Sequence, residues 1–549
     1  MRKIVMVLAI TGVIVAGTVA GAVTATAQEP GTQPITDCTT ITSPGVYTLG
    51  KDITNTTADT CIQIETSDVV LNGGNHTLIG DGDGIAVDAT ATEERAQDAY
   101  ENVTVRSLNA ESWETGISFV NTRNATATNV AIADSVVGVQ IGSAESRLGY
   151  VTAAHRSTVS NATLSNVDSG VLVVKSNNAT VVDNTLTDYS DTGVHFNVAS
   201  NSSVHGNEIT DPNGSAGTAI SLSVTAQEYG GGVDNNVVAS NRIVNGTISV
   251  NPDQSQSTGN RIIRNEITNG SIAVSWSRGG HTLVADNRLT NSDVSVEVST
   301  NVTVEDNVLT NPNEAPEESI YLSDAGLNTV QDNTVIGAQT GILLDAVAQE
   351  NAIVDNKVIN SESGIELDGD SVNNTVAENT LINNGNGIVV SLVNTFSEGT
   401  NDVRKNNIVN NENGLLVKAT DRPLIVESNS LRANTNGILI QKTITCSPDA
   451  EGAELVSVHG NVIAGSGAYG VLNENQDILN ATGNFWGARD GPSSADDEIP
   501  GDPVTGTLAN GSGTAVSEDS GHAGQSNVQF DSWLQQPPED AERSNETAS

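Results

Sequence analysis

The sequence predicts an all-β fold: a parallel β-helix of about 17 coils with three strands per coil. Three observations carry that reading. The phrase V-x-x-N-x-[ILV], followed eight or nine residues later by G-[IVL]-x-[ILVF], recurs in full or in close variants with its Asn at 161, 184, 207, 241, 265, 287, 307, 333, 356, 379, 406, 429, 461 and 484. Six of those intervals equal 23 residues, and a fixed period of this length across hundreds of residues marks a solenoid. Within one period, such as residues 179–200, three short alternating apolar pieces are separated by Asn, Asp and Gly, with no run long enough for an amphipathic helix. Leucine-rich repeats have a similar period but need more Leu and a helical segment. Here the rest of each coil makes the crossover that parallel strands require.

Taken in order, residues 1–27 read as a secretory signal: Arg2 and Lys3, an apolar run, and the small-residue exit Ala25-Thr26-Ala27. Residues 28–62 read as an N-terminal cap. Cys38 and Cys61 stand one coil apart, and in a secreted protein they form a natural disulfide closing the first rung, with Cys446 left unpaired in an insertion. Residues 63–490 form the β-helix, including weaker repeats at Asn75, Ser107 and Asn129. Each anchor Asn is expected at a tight corner in the left-handed region, which Asn tolerates better than other non-Gly residues. Stacked copies would join amide to amide about 4.8 Å apart, along a rod roughly 75 to 80 Å long. Long insertions near 88–101, 143–157, 224–235, 392–401 and 443–455 all follow the G-[IVL]-x-[ILVF] strand and would wall a groove along it. Residues 491–534, with Trp486 just ahead, would cap the open end, and 535–549 read as a disordered tail.

The charge excludes some functions. Removing Arg2 and Lys3 from 23 basic residues leaves 21 against 67 acidic ones, which rules out a general nucleic-acid binder. The acids are scattered among regularly spaced Val, Ile and Leu, as in proteins from halophiles, where molar salt screens self-repulsion over ~3 Å. No stretch after residue 28 has the ~20 apolar residues of a membrane span.

Apolar residues of G-[IVL]-x-[ILVF] point inward, so each x points outward. One outward column then runs Ser249, Ala273, Ser295, Tyr321, Leu343, Glu366 and Val389. Its neighbour runs Asn251, Ser275, Glu297, Ser323, Asp345, Asp368, Ser391 and Lys418. Asp345 and Asp368 should stack about 5 Å apart, with Glu366 on the same strand as Asp368. Such carboxylates suit a Ca²⁺ ion, the one cofactor expected here, or an acid/base pair at a sugar-binding surface that includes Tyr321 and Glu297. The competing reading is salt-adapted surface charge. His195, outward near Asp188, Asp191 and Lys175, is a second catalytic candidate.

The opening "CTTITSPGVYTLGKDI", the repeated G-I-x-V with N-x-[IL], and the closing "NFWGARDGP" resemble the right-handed parallel β-helix proteins, specifically the NosD-type and carbohydrate-binding and sugar-hydrolase β-helix domains of halophilic archaeal surfaces. The resemblance spans roughly residues 35–534 and implies the fold more than the activity. The NosD name implies a link to copper, yet no methionine follows Met6 and no Cys-His cluster is evident. The glycosidase motifs of this fold are missing beside "SVHGN" and "RGGHT". The expected function is therefore a secreted or cell-surface protein that binds or organises extracellular polysaccharide or envelope components without catalysis. A polysaccharide hydrolase or lyase and a purely structural rod are the alternatives. Fifteen N-x-[ST] sequons permit glycosylation, at a frequency close to what abundant Asn, Ser and Thr alone produce.

Overall fold

The computed structural model describes residues 32–542, apart from 55–56, 92–98, 143–154, 215–216, 225–231, 253–256, 312–315, 393–395, 443–452, 496–497 and 519–520. Alternation of small polar and β-branched residues makes most coils three short strands, as in Ser203–His205, Glu208–Thr210 and Thr218–Ser223, while in three coils the last two merge into one strand, Ala131–Gly142, Thr163–Val174 and Thr185–Asn197. Each strand pairs in parallel with its copy one coil on. One strand per coil builds a 20-stranded sheet, and the remaining one or two strands of the coils build a 33-stranded sheet. The product is a parallel β-solenoid of about 18 turns with almost no helix, as expected of a right-handed parallel β-helix. Inward Val, Ile and Leu form one continuous core from Ile35 to Phe530. Each such side chain, fully buried, stabilises the fold by about 1.5–3 kcal/mol. The Gly that opens the G-[IVL]-x-[ILVF] strand reflects close stacking: a Cβ on Gly364 would lie 2.4 Å from the Gly387 carbonyl oxygen.

A ladder of buried asparagines runs unbroken from Asn184 to Asn484. In one rung, Asn356 Oδ1 accepts both the backbone N–H of Asn333 at 3.1 Å and its Nδ2 at 3.0 Å. Asn356 Nδ2 then donates to Val330 O at 2.8 Å and to Asn379 Oδ1 at 3.0 Å. Shorter ladders, Asn328–Asn351–Asn374–Asn401 and Asn384–Asn411–Asn434, repeat the scheme at other corners. The left-handed residue is not the anchor Asn, as expected from sequence, but the residue before it: Asp286, Asp306, Asp332, Asp355 and Glu378 all have φ between 54° and 60°. The reason is geometric, because the corner residue points outward and its successor points inward, where the amide ladder forms. The early anchors shift accordingly. Asn75, Asn129 and Asn161 take the positive φ themselves, and Ala162 occupies the ladder position, its N–H donating to Asn184 Oδ1.

Both ends carry parallel strand pairing of their own. Gln33–Ile35 already pairs with Tyr47–Leu49, and Thr39–Ile41 with Ile62–Ile64, so the segment expected as a cap carries solenoid pairing. Cys38 and Cys61 are bonded, with Cα atoms 4.4 Å apart. At the other end, Val528–Gln529 adds to Leu479–Asn480 over the fully buried Trp486 and Phe530. Buried Asp502 pins this end by accepting the backbone N–H groups of Val504, Thr505, Phe530 and Asp531. The stretch expected as a disordered tail begins with a helical turn, Glu539–Glu542, whose Ala541 is buried against Val462 and Phe485. The expected signal at 1–27, Cys446, the central parts of the insertions and residues 543–549 lie outside the described residues. No helix among the described residues is long and apolar enough to cross a membrane.

Two neighbouring substitutions separate ladder from corner. Asn356→Ala strips the Asn333 N–H groups of their acceptor and should cost about 2–4 kcal/mol in chemical denaturation. Asp355→Gly relieves a left-handed non-Gly residue and should be neutral or stabilising by up to about 1 kcal/mol. Equal losses at both positions would contradict the assignment.

Candidate functional site

The outward columns form as the alternation requires. Pairing carries the first from Ser249 through Ala273, Ser295, Tyr321, Leu343 and Glu366 to Val389. The second includes Ser275, Glu297, Ser323 and Asp345, then Asp368 and Ser391. Its expected last member is corrected by a local irregularity: Ser391 pairs with Ala419, and Lys418 is displaced from the column. An extra residue in that strand swings Lys418 back over two coils, where its Nζ meets Glu366 Oε1 at 3.1 Å.

The structure brings Tyr321 and Asp345 together, the phenol donating to Asp345 Oδ2 at 3.3 Å. Burial, with the nearby charges of Asp345 and Glu297, pushes that phenol's pKa up. The other carboxylate oxygens serve the chain. Asp345 Oδ1 accepts the Ala346 N–H at 2.5 Å and Asp368 Oδ1 the Gly369 N–H at 2.8 Å, each closing a positive-φ corner. With Glu366 paired to Lys418, a cation at this place would compete with existing partners. Among the described residues no three His, Cys, Asp or Glu side chains converge as a metal site. His195 stands apart, its Nε2 2.7 Å from Ser223 Oγ. Burial lowers its pKa against the opposing pull of Asp191, so the ring is neutral near pH 7.

Sequence reasoning missed two features. Trp276 ends the Ser271–Ser275 strand at the rim of the second column, 37% exposed and at φ 58°. A bulky residue in that conformation is a true outlier, and an exposed Trp face is a platform for apolar ligand surface. Arg278 lies over the ring, 5.4 Å from its centroid. The signal was legible in "SWSRGG", because corresponding corners carry Val298, Asp324 and Ala346. The second is Asp293, half-buried, whose pKa rises to about 6 through burial and the charges of Glu318 and Glu297.

A raised carboxyl pKa gives stability that is present below the ordinary value of 3.8 and lost as pH rises through about 6. Asp293→Asn should therefore raise stability at pH 8 by about 1–2 kcal/mol, after allowance for its partial exposure. At pH 3 it should leave stability unchanged. Denaturation at the two pH values checks this, and an equal effect at both would contradict the environment described for Asp293.

The family model described as periplasmic copper-binding protein (NosD) matches residues 62–255 and 218–397. The curated proteins hold no match to the chain. Among solved structures, a mutant tailspike protein of E. coli bacteriophage HK620 in complex with a hexasaccharide is 14% identical, at a TM-score of 0.43 over 72% of this chain and 71% of that one. A double mutant of the same tailspike with a pentasaccharide is 13% identical, at 0.44 over 69% and 71%. The tailspike protein in complex with a pentasaccharide is also 13% identical, at 0.41 over 70% and 71%. Copper does not suit the residues described. Cys38 and Cys61 are bonded to each other, His76 and His459 pair with Asp52 and Glu427, and the chain's only methionines are Met1 and Met6.

Proposed function

From the chain's membership of the NosD family, and from donor groups that do not suit the copper of that family's description, we propose an extracytoplasmic rod that binds extended polysaccharide along its G-[IVL]-x-[ILVF] face without cleaving it. The observation that carries this reading is Trp276, held exposed beside a column of hydroxyl, amide and carboxylate groups. A polymer lying along the axis meets one such group at every coil, about 4.8 Å apart. The Trp face would take the apolar face of a sugar ring, while Ser275, Glu297, Ser323 and Asp345 would take its hydroxyls. The formal charge of −44 favours a neutral or amino-sugar polymer over a uronate. Cleavage finds less support, because Asp345, Asp368 and Glu366 already hold backbone N–H groups or Lys418.

Affinity electrophoresis against neutral, amino-sugar and acidic polysaccharides, with assays for reducing ends and unsaturated products, tests the reading. Retention without product release is expected, and Trp276→Ala should weaken it by about tenfold or more. Repeating the series in chelator shows whether Ca²⁺ at Asp345 and Asp368 contributes to binding. Product release would make the protein an enzyme, and no retention by any polymer would leave a structural rod.

A further inference from the structure

One corner of the coil carries thirteen stacked residues of positive φ, from Asp68 through Asn102, Asn124, Arg156, Asn178, Asn201, Asn235, Gly259, His281, Asn301, Leu327 and Glu350 to Asn373. The residue two further on is the first outward position of the 20-stranded sheet. Those positions align by pairing, for example Thr104 with Thr126, Thr158 with Thr180, and Thr180 with Ser203. The left-handed corner favours Asn, and the outward strand position favours Thr. Each preference acts on one position alone. Yet six of the seven corner asparagines have Thr or Ser two residues on, against two of the six other corner residues. At six of these corners the pair completes the sequon N-x-[ST].

We propose that this corner is a glycan-bearing edge, N-glycosylated at Asn301 and at Asn178 or its neighbour Asn201. All three asparagines are exposed, and none donates or accepts a side-chain hydrogen bond among the described residues. The other three sequons of the column use their amides: Asn102 Nδ2 donates to Asp68 Oδ1, Asn124 Nδ2 to Asn102 Oδ1, and Asn373 Oδ1 accepts the Thr400 N–H. Asn178 and Asn201 stand one coil apart, about 4.8 Å, which leaves room for one sugar ring between them. In the modification, the Asn Nδ2 bonds to C1 of a lipid-linked oligosaccharide phosphate. The C1–O bond to phosphate breaks, the lipid phosphate leaves, and Nδ2 gives up one proton. Modified asparagines need water in front of them, so this edge faces solvent and is closed to close-packed partners. The inference is independent of polysaccharide binding, and either can fail without the other.

Protein recovered from the organism that makes it, digested and mapped by mass spectrometry, tests the proposal. Glycopeptides are expected at Asn301 and at one or both of Asn178 and Asn201. None is expected at Asn245, a sequon whose Nδ2 is donated to Asp211 O at 2.8 Å. Thr303→Val should remove the glycan from Asn301 while the melting curve of the purified protein stays unchanged, since the outward strand position accepts Val. Unmodified masses at Asn178, Asn201 and Asn301 overturn the proposal, and so does a glycan at Asn301 that survives Thr303→Val.

Discussion

The structure depends on one interaction, a buried asparagine whose single side-chain oxygen accepts two N–H groups from the coil before it. A corner between two strands leaves a backbone N–H with no ladder partner, and burying it unpaired would cost about 1–3 kcal/mol at every turn. Asn solves this for the preceding coil with its Oδ1, while its own backbone N–H and Nδ2 donate to the Oδ1 of the Asn one coil on. From Asn184 to Asn484 each rung therefore both gives and receives, at 2.9 to 3.0 Å between side chains. Apolar burial supplies the larger share of stability. The ladder supplies register, because a coil slipped by one residue would bury an outward corner side chain in place of the amide.

That constraint divides the coil into positions that cannot vary and positions that can. Inward residues and ladder asparagines repeat almost unchanged, while corner and outward residues run through Asp, Glu, Lys, Arg, Ser and Gly. Net acidity is carried on the variable positions without touching the core. The same freedom lets one corner carry Trp276, another a run of sequons, and a bulged strand carry Lys418 across to Glu366. Specific chemistry in this protein is written on an outer surface whose spacing the interior sets.

Much of the architecture was legible because period and alternation report burial directly. The 23-residue interval, three strands per coil, the outward order from Ser249 to Val389 and the Cys38–Cys61 bond follow from which residues must face inward. The displaced features share a cause. The left-handed residue was assigned to the conspicuous Asn, although the corner conformation belongs to its neighbour and tolerates Asp, Ser, Arg or Lys, leaving no single residue type to read. Lys418 left its column because a bulge cannot be seen in a spacing that varies between coils. For the acidic trio, sequence gives proximity but not partners: the backbone N–H groups on Asp345 and Asp368 and the Lys418 beside Glu366 were invisible to it.

Hydrogen–deuterium exchange of the intact protein tests the central claim most directly. If the ladder closes the corners, backbone amides of Asn333, Asn356, Asn379 and Asn406, whose N–H groups donate to the next side chain, should be as strongly protected as the amides of the paired strands between them. Exchange of those four amides at the rate of exposed loops, while the flanking strands stay protected, would contradict it.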